Sequence, residues 1–145
     1  EQIHFLRYQH LNGQRRLLGG TLMRWIEELA GMGASRHAGG NVITAAVESL
    51  MCREAAYLNE LIHRRGCVTY TGRTSMEVRV DTYAEDLNGN RRVINQAFLA
   101  MVAIDDEGTP IPVPGILLET EEQRQEWQMG EKRYNLRKTR RKENF

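Results

Sequence analysis

One long amphipathic helix followed by four strand-like runs, with no second helix between those runs, is the feature that most constrains this fold. Residues 20–37 place Leu22, Ile26 and Leu29 on one face at the spacing of an α-helix. Gly39 and Gly40 then end the helix. A single apolar helix beside a set of strands predicts a helix packed on one face of a sheet.

The four runs that follow are typical of antiparallel strands. They are NVITAAVESLM, ELIHRRGCVTYTG, TSMEVRVDTY and RRVINQAFLAMVAI. The third run alternates most clearly, so we expect one set of side chains inward and the other outward toward solvent. The inward set is Met76, Val78 and Val80, and the outward set is Glu77, Arg79 and Asp81. Without alternation of strand and helix, the fold class is α+β.

The C-terminal part of the chain has a different character. TPIPVPG contains three prolines, which exclude regular strand pairing and predict an extended strap. Residues 119–145 are acidic first and basic last, an order that suits a helix and its dipole. We therefore predict one domain over residues 1–145, with residues 119–145 as a charged helical extension.

Composition excludes several classes of function. A formal net charge of +1 argues against attraction of the whole surface to nucleic acid. The basic end KRYNLRKTRRK leaves RNA or membrane-surface binding open as a minor alternative. No segment has the roughly 20 apolar residues of a membrane span. Cys52 and Cys67 have no metal-type spacing, and we expect a soluble protein of the reducing cytoplasm.

Five or so strands wrapped on one helix leave an open sheet edge. Such an edge is commonly covered by a second copy of the same chain. A dimer is therefore expected from the predicted architecture.

Glu27 is the residue of the helix with the most ambiguous position, because it lies close to the apolar arc. On pattern alone a solvated or ion-paired role is the more common one for such a residue. Glu28 is its neighbour and competitor, and its i, i+4 partner Arg24 indicates a surface ion pair. Upstream, Asn12 precedes Gly13, and Asn-Gly is an ordinary turn signal.

Four blocks in order resemble the hotdog-fold acyl-coenzyme A thioesterases, most closely their cytosolic acyl-CoA hydrolase branch. The blocks are Asn12 with GGTLMRWIEELAGMGASRHAG, then VITAAVESL, then GRTSMEVRV, then AFLAMVAIDDEGTPIPVP. The resemblance covers roughly residues 4–142. It implies a sheet wrapped around the central helix, subunits paired edge to edge, and three such pairs in a hexamer.

The resemblance also implies an active site shared by two subunits, with Asn12 from one and Glu27 from the other. Many relatives have Asp where this chain has Glu27. Amides at a helix N-terminus, here at Gly19 and Gly20, would polarise a thioester carbonyl. Glu27 would act as general base on water or attack directly, and Asn12 would orient the water or the carbonyl. This segment departs from the family near Arg15, where relatives usually carry glycine.

The remaining predicted contacts are with the coenzyme A part of the substrate. Thr74 and Ser75, in the turn that begins at Gly72, are expected to hydrogen-bond the pantetheine or phosphate part. Arg36, Arg73 and the basic tail are expected near the nucleotide phosphates. The four histidines have no ligand spacing, so no metal is expected. Coenzyme A is then part of the substrate and a product, and no separate cofactor is expected.

The leading hypothesis is an enzyme that hydrolyses fatty acyl-CoA to a free fatty acid and coenzyme A. A second hypothesis is a non-catalytic regulatory protein that binds acyl-CoA or a nucleotide in the same pocket. A third, a hotdog hydratase, would require an Asp and His pair, and no such pair stands out. A thiol-release assay separates the first hypothesis from the second.

Overall fold

The structure is a computed structural model that describes residues 1–145. The strands are β1 (Gln2–Phe5), β2 (Val42–Cys52), β3 (Leu61–Thr71), β4 (Ser75–Glu85) and β5 (Arg91–Ala103). The helices are α1 (Gly19–Ala38) and α2 (Glu121–Glu143), and a short 3-10 helix spans Tyr8–His10. The strands form one sheet in the order β1-β3-β4-β5-β2, and every neighbouring pair is antiparallel.

Helix α1 lies against one face of the sheet, which we call the inner face. The helix begins at Gly19, one residue before the expected start, and ends where Gly39 adopts a left-handed φ of 74°. Its buried residues pack on apolar side chains from β4 and β5. This core includes Leu22, Ile26 and Leu29 from the helix and Met76, Val78, Val80 and Leu99 from the sheet. The α+β hotdog arrangement is thereby confirmed.

The opposite face of the sheet, the outer face, is covered in part by α2. The inward prediction for Met76, Val78 and Val80 is confirmed, since all three are at most 1% exposed. The prediction that Glu77 faces solvent is wrong, because only 3% of Glu77 is exposed. Glu77 does point away from the core, but Arg133 of α2 covers it, with Nε and Nη2 each 2.8 Å from a carboxylate oxygen.

The strap and α2 have the predicted forms. Residues 111–119 belong to no helix or strand, and the strap is fixed at Val113, whose N–H donates to the Arg73 carbonyl at 2.9 Å. Thr120 caps α2 through a capping box with Gln123. Acidic residues occupy the first turn of α2 and basic residues the last, as its dipole favours.

Both edges of the sheet are open in the single chain. The short strand β1 was not predicted, and it pairs only with Leu61–Arg64 of β3. At the other edge, β2 leaves Ile43 48% exposed and Val47 42% exposed. An apolar strand edge of this kind is a surface on which another chain can pair. No helix of the structure is long and apolar enough to cross a membrane.

Candidate active site

Glu27 lies on the exposed side of α1 and is held by a hydrogen bond to the sheet. The Thr44 hydroxyl donates to its Oε1 at 2.8 Å. No cationic side chain lies within ion-pair distance of Glu27. Glu28 differs, because Arg24 pairs with it at 3.0 Å. Of these two neighbouring carboxylates, Glu27 alone is oriented yet free of a cation.

Thr44 is a residue that the sequence interpretation missed. It lies near the start of the edge strand β2, on the face opposite to Ile43 and Ala45. The alternation of this strand already places Thr44 on the same face as α1. A polar residue at that position, beside a helix that carries an unpaired carboxylate, was the signal that could have identified it.

The side chain of Asn12 fixes its own turn. Its Oδ1 accepts hydrogen bonds from the N–H of Gln14 at 2.9 Å and of Arg16 at 3.2 Å. The predicted turn is therefore present, and within it Arg15 adopts a left-handed φ of 59°. Because Oδ1 is engaged twice, the orientation of the amide is set. The Nδ2 group makes no hydrogen bond within the chain and remains available as a donor.

Gly19 and Gly20 form the first turn of α1 with nothing covering them. The N-cap residue Leu18 makes no side-chain cap, and no acidic residue lies in the first turn. A Cβ added at either glycine would meet no atom within 4 Å. The N–H groups of this turn point out of a 20-residue helix and favour a negatively polarised oxygen.

One chain does not bring all of these groups together. Gly19 and Glu27 are eight residues apart, which corresponds to about 12 Å along the helix. No hydrogen bond or ion pair joins Glu27 to Asn12 or to the glycine turn. Within a single chain, Glu27 with Thr44 forms one half of the predicted site, and Asn12 with the glycine turn forms the other.

The predicted coenzyme A contacts at residues 72–75 form the tight hairpin between β3 and β4. The Gly72 N–H donates to the Ser75 carbonyl at 2.8 Å, and the Ala103 N–H donates to the Thr74 carbonyl at 3.0 Å. Position 72 favours glycine, because an added Cβ would lie 2.8 Å from the Ser75 hydroxyl and 3.3 Å from a ring carbon of Tyr134. The Arg73 side chain is exposed and makes no ion pair.

The hairpin lies at the same end of the sheet as Glu27. Met76, one residue into β4 from Ser75, pairs with Met101, and Met101 pairs with Thr44. Two strand spacings therefore separate the hairpin from the threonine that holds Glu27, or roughly 10 Å. Arg36 is exposed near the end of α1 and lines a cleft of about 550 Å³ with Gly31 and Gly33. The residues that line this cleft do not include the hairpin turn.

A cleft of about 900 Å³ lies away from the predicted site. It follows the unpaired part of the β3 edge, beside the strap at Gly115–Leu118 and the first turns of α2. Neither Glu27 nor Asn12 lines it, and the hairpin does not reach it. Arg79 in this cleft is neutralised by Asp81 at 3.0 Å and by Glu126 at 2.7 Å.

A buried cation lies between α1 and the β1 edge. Arg64 of β3 is 0% exposed, and it donates to the Trp25 carbonyl and to Gln2. Its remaining partner is His4 Nδ1, at 2.6 Å. Burial lowers the pKa of Arg64 to about 10. Burial, and then the charge of Arg64, lowers the pKa of His4 below its ordinary value.

No group of three or more histidine, cysteine, aspartate or glutamate side chains in the structure is arranged to hold a metal ion. At the candidate site the chain presents a carboxylate, a hydroxyl, a side-chain amide and backbone N–H groups.

Comparison with known proteins gives a consistent family match. The model of the thioesterase superfamily matches residues 16–89. An acyl-CoA thioester hydrolase of Bacillus subtilis, YkhA, is 34% identical over 132 residues, which is 90% of this chain and 77% of the relative. The rat cytosolic acyl coenzyme A thioester hydrolase is 32% identical over 85% of this chain, but the chain spans only 33% of that relative.

Solved structures match over nearly the whole chain. An apo-hexameric acyl-CoA thioesterase has a TM-score of 0.92 at 34% identity, covering 96% of this chain and 90% of the other. An acyl-CoA hydrolase from Staphylococcus aureus, in complex with butyryl coenzyme A, has a TM-score of 0.91 at 32% identity, covering 99% of this chain and 88% of that one. Three solved variants of the Staphylococcus enzyme each replace one residue by alanine: an asparagine, an aspartate or a threonine. In the sequence of that enzyme the asparagine is 15 positions before the aspartate, and the threonine is 17 positions after it.

Proposed function

The chain belongs to the thioesterase superfamily and is a thioester hydrolase, and from that premise we propose that it hydrolyses fatty acyl-coenzyme A to a free fatty acid and coenzyme A. The relatives named above are acyl-CoA thioester hydrolases, and one of them binds butyryl coenzyme A. Coenzyme A enters as part of the substrate and leaves as a product. The reaction consumes only water, and it needs no further cofactor.

The observation that carries the proposal is the state of Glu27. A surface carboxylate on a helix usually has a cation one turn away or is free in solvent. Glu27 is exposed and has no such cation, yet Thr44 orients one of its oxygens and leaves the other without a partner in the chain. A carboxylate oriented by a neutral hydroxyl retains its ability to take a proton from water.

The variants of the Staphylococcus enzyme support the same set of residues. Asn12 lies 15 positions before Glu27, and Thr44 lies 17 positions after it, which is the spacing found in that enzyme. Glutamate in this chain then stands where that enzyme has aspartate. The additional methylene extends the carboxylate further from α1, and the bond from Thr44 fixes the longer side chain.

Each group has a defined step in the proposed mechanism. The Nδ2 group of Asn12 and the N–H groups at Gly19 and Gly20 donate to the thioester oxygen, which becomes negatively charged as the carbonyl carbon is attacked. Glu27 takes a proton from the attacking water, whose oxygen bonds to that carbon. The C–S bond then breaks, and the proton on Glu27 passes to the leaving thiolate. Direct attack by Glu27, through an anhydride, is the second route.

We propose that two chains build each site through the β2 edge. Glu27 with Thr44 lies at this edge, and the exposed Ile43 and Val47 make the edge suitable for pairing. Asn12 and the glycine turn of the partner would complete the site. The match to an apo-hexameric thioesterase supports further assembly of such dimers in threes.

The test is a pair of matched variants in a thiol-release assay, with acyl-CoA substrates from acetyl to palmitoyl. Glu27→Gln keeps the size and the hydrogen bond of the side chain but removes the base. We expect turnover to fall by about 10³-fold, within the range for loss of a general base. Glu28→Gln is the control on the same helix, and it should retain turnover.

The contradicting outcome is a Glu27→Gln enzyme whose turnover stays within a few-fold of the parent. A parent protein that binds coenzyme A but releases no thiol from any acyl-CoA would instead support the non-catalytic regulatory hypothesis. Asn12→Ala should reduce turnover less than Glu27→Gln does, because the helix N–H groups still donate to the oxygen.

A further inference from the structure

We propose that α2 contributes to the coenzyme A site, with Lys138 and Arg141 joining Arg73 to bind the phosphate groups of the nucleotide end. This inference rests on the proposed function, because it takes acyl-CoA as the substrate. The sequence led us to expect the basic tail as a whole near the nucleotide phosphates, and the inference narrows that expectation to two of its cations.

The first step is that α2 has a fixed register on the outer face. Arg133 makes two hydrogen bonds of 2.8 Å to the buried Glu77, and its guanidinium lies 3.8 Å from the centre of the Phe98 ring. One turn later, Arg137 pairs with Glu48 of β2 at 2.5 Å. Because the bidentate pair of Arg133 with Glu77 constrains both position and angle, the backbone of the following turn has a fixed place on the sheet.

The second step is that this helix contacts the hairpin directly. A Cβ at Gly72 would lie 3.3 Å from a ring carbon of Tyr134, so the tyrosine lies against the hairpin backbone. The Nζ group of Lys138 is 5.1 Å from the centre of the Tyr134 ring. Arg141 lies seven residues after Tyr134 and so shares its face of the helix. This face adjoins the hairpin that carries Arg73.

The third step is that these cations have no counter-charge. Arg133 and Arg137 are neutralised by Glu77 and Glu48. Lys138, Arg141 and Arg73 are exposed, and none of them has a carboxylate within ion-pair distance. A group of unpaired cations beside a hydrogen-bonding hairpin fits a phosphate ligand, which offers several charged acceptor oxygens.

The fourth step is the distance from the proposed phosphate site to the Glu27 carboxylate. The hairpin lies roughly two strand spacings, about 10 Å, from the threonine that holds Glu27. In coenzyme A the pantetheine arm separates the sulfur from the phosphates by many bonds. Phosphates held at the hairpin and α2 therefore leave the sulfur free to reach the carboxylate.

The experiment compares three thioesters that share one acyl group: acyl-CoA, acyl-3′-dephospho-CoA and acyl-pantetheine, which has no nucleotide. The variant Lys138→Glu should raise KM for acyl-CoA about ten-fold, the effect of losing one charge-assisted contact, with kcat unchanged. It should leave KM for acyl-pantetheine unchanged. Lys132→Glu makes the same charge change on the same helix, away from the Tyr134 face, and should leave all three substrates unaffected.

A second readout does not depend on turnover. Calorimetry with coenzyme A should show weaker binding by Lys138→Glu than by Lys132→Glu, with a difference that shrinks as salt is added. Equal binding by the two variants, or an equal rise in KM for acyl-pantetheine, would overturn the assignment. A parent protein that binds coenzyme A through Lys138 but cleaves no thioester would contradict the proposed function and leave this inference intact.

Discussion

The two faces of the sheet are covered by helices that are held in different ways. On the inner face, α1 packs through apolar side chains such as Ile26 and Leu29. On the outer face, α2 is anchored by Arg133 on Glu77 and by Arg137 on Glu48. The close approach of α2 also depends on Gly130, since a Cβ there would lie 2.6 Å from the Cβ of Tyr70. The inner contact is non-directional, whereas the outer contact depends on angle and register.

The difference between the two faces shows what strand alternation can and cannot predict. Alternation along β4 separates Met76 and Val78 from Glu77 correctly, because successive side chains point to opposite faces. It does not reveal what covers each face. Glu77 is as well buried as a core residue, because a cation from α2 meets it.

A substitution that removes apolar atoms from the inner face should cause the largest loss of stability. Ile26 is 0% exposed, so Ile26→Ala removes buried apolar atoms and leaves a cavity. We expect the free energy of unfolding to fall by about 4 kcal/mol. Denaturant unfolding at fixed protein concentration measures this change as a lower midpoint with an unchanged slope. A loss below about 1 kcal/mol would mean that the inner packing does not dominate the fold.

On the outer face, the loss of stability should depend on whether Arg133 alone or both members of the Arg133–Glu77 pair are replaced. Arg133→Ala leaves the Glu77 carboxylate buried without its cation, and we expect a cost of about 3 kcal/mol. Limited proteolysis should show α2 cleaved while the sheet remains protected. The double variant Glu77→Met with Arg133→Leu replaces the pair by apolar groups, and it should be nearly as stable as the parent. Equal losses in the single and double variants would contradict an ionic anchor.

The smallest effect concerns a fully buried cation between α1 and the β1 edge, Arg64. Burial and Arg64 lower the pKa of His4, with His10 adding to this effect and Glu28 opposing it. As the pH falls below the ordinary value of 6.5, the unfolded chain therefore binds a proton that folded His4 resists. The free energy of unfolding should therefore decrease as the pH is lowered through this range. In His4→Gln it should decrease less steeply. Identical slopes in parent and variant would exclude His4 as the source.

Much of the fold could be predicted from the sequence, because α1 and β2–β5 are long and strongly periodic. The strand β1 was missed because Gln2–Phe5 is too short to show a period. Arg64 was also unexpected, since nothing local indicates that Trp25, Gln2 and His4 will surround it. These are contacts between residues far apart in the chain, and periodicity carries no information about them.

For the candidate site, the sequence pointed to Asn12, Glu27 and the glycine turn, but it missed Thr44 and did not reveal how these groups are arranged. Helical spacing could not separate Glu27 from Glu28 decisively, whereas their partners Thr44 and Arg24 do so at once. The turn at Asn12 was expected, but the engagement of its Oδ1, which orients Nδ2, required the folded backbone. The role of the second chain lies beyond any single chain, and it can be tested directly.

Subunit complementation is the most direct test of a site shared by two chains. Asn12→Ala and Glu27→Gln, each with impaired turnover alone, are unfolded together and refolded as a mixture. Half of the dimers that form by random pairing are mixed, and each mixed dimer has one site with both Asn12 and Glu27 intact. The account predicts that the mixture recovers about a quarter of the parent thiol-release rate, as expected for a symmetric two-site dimer. A mixture no more active than the average of its two components would show that Asn12 and Glu27 do not act across the interface.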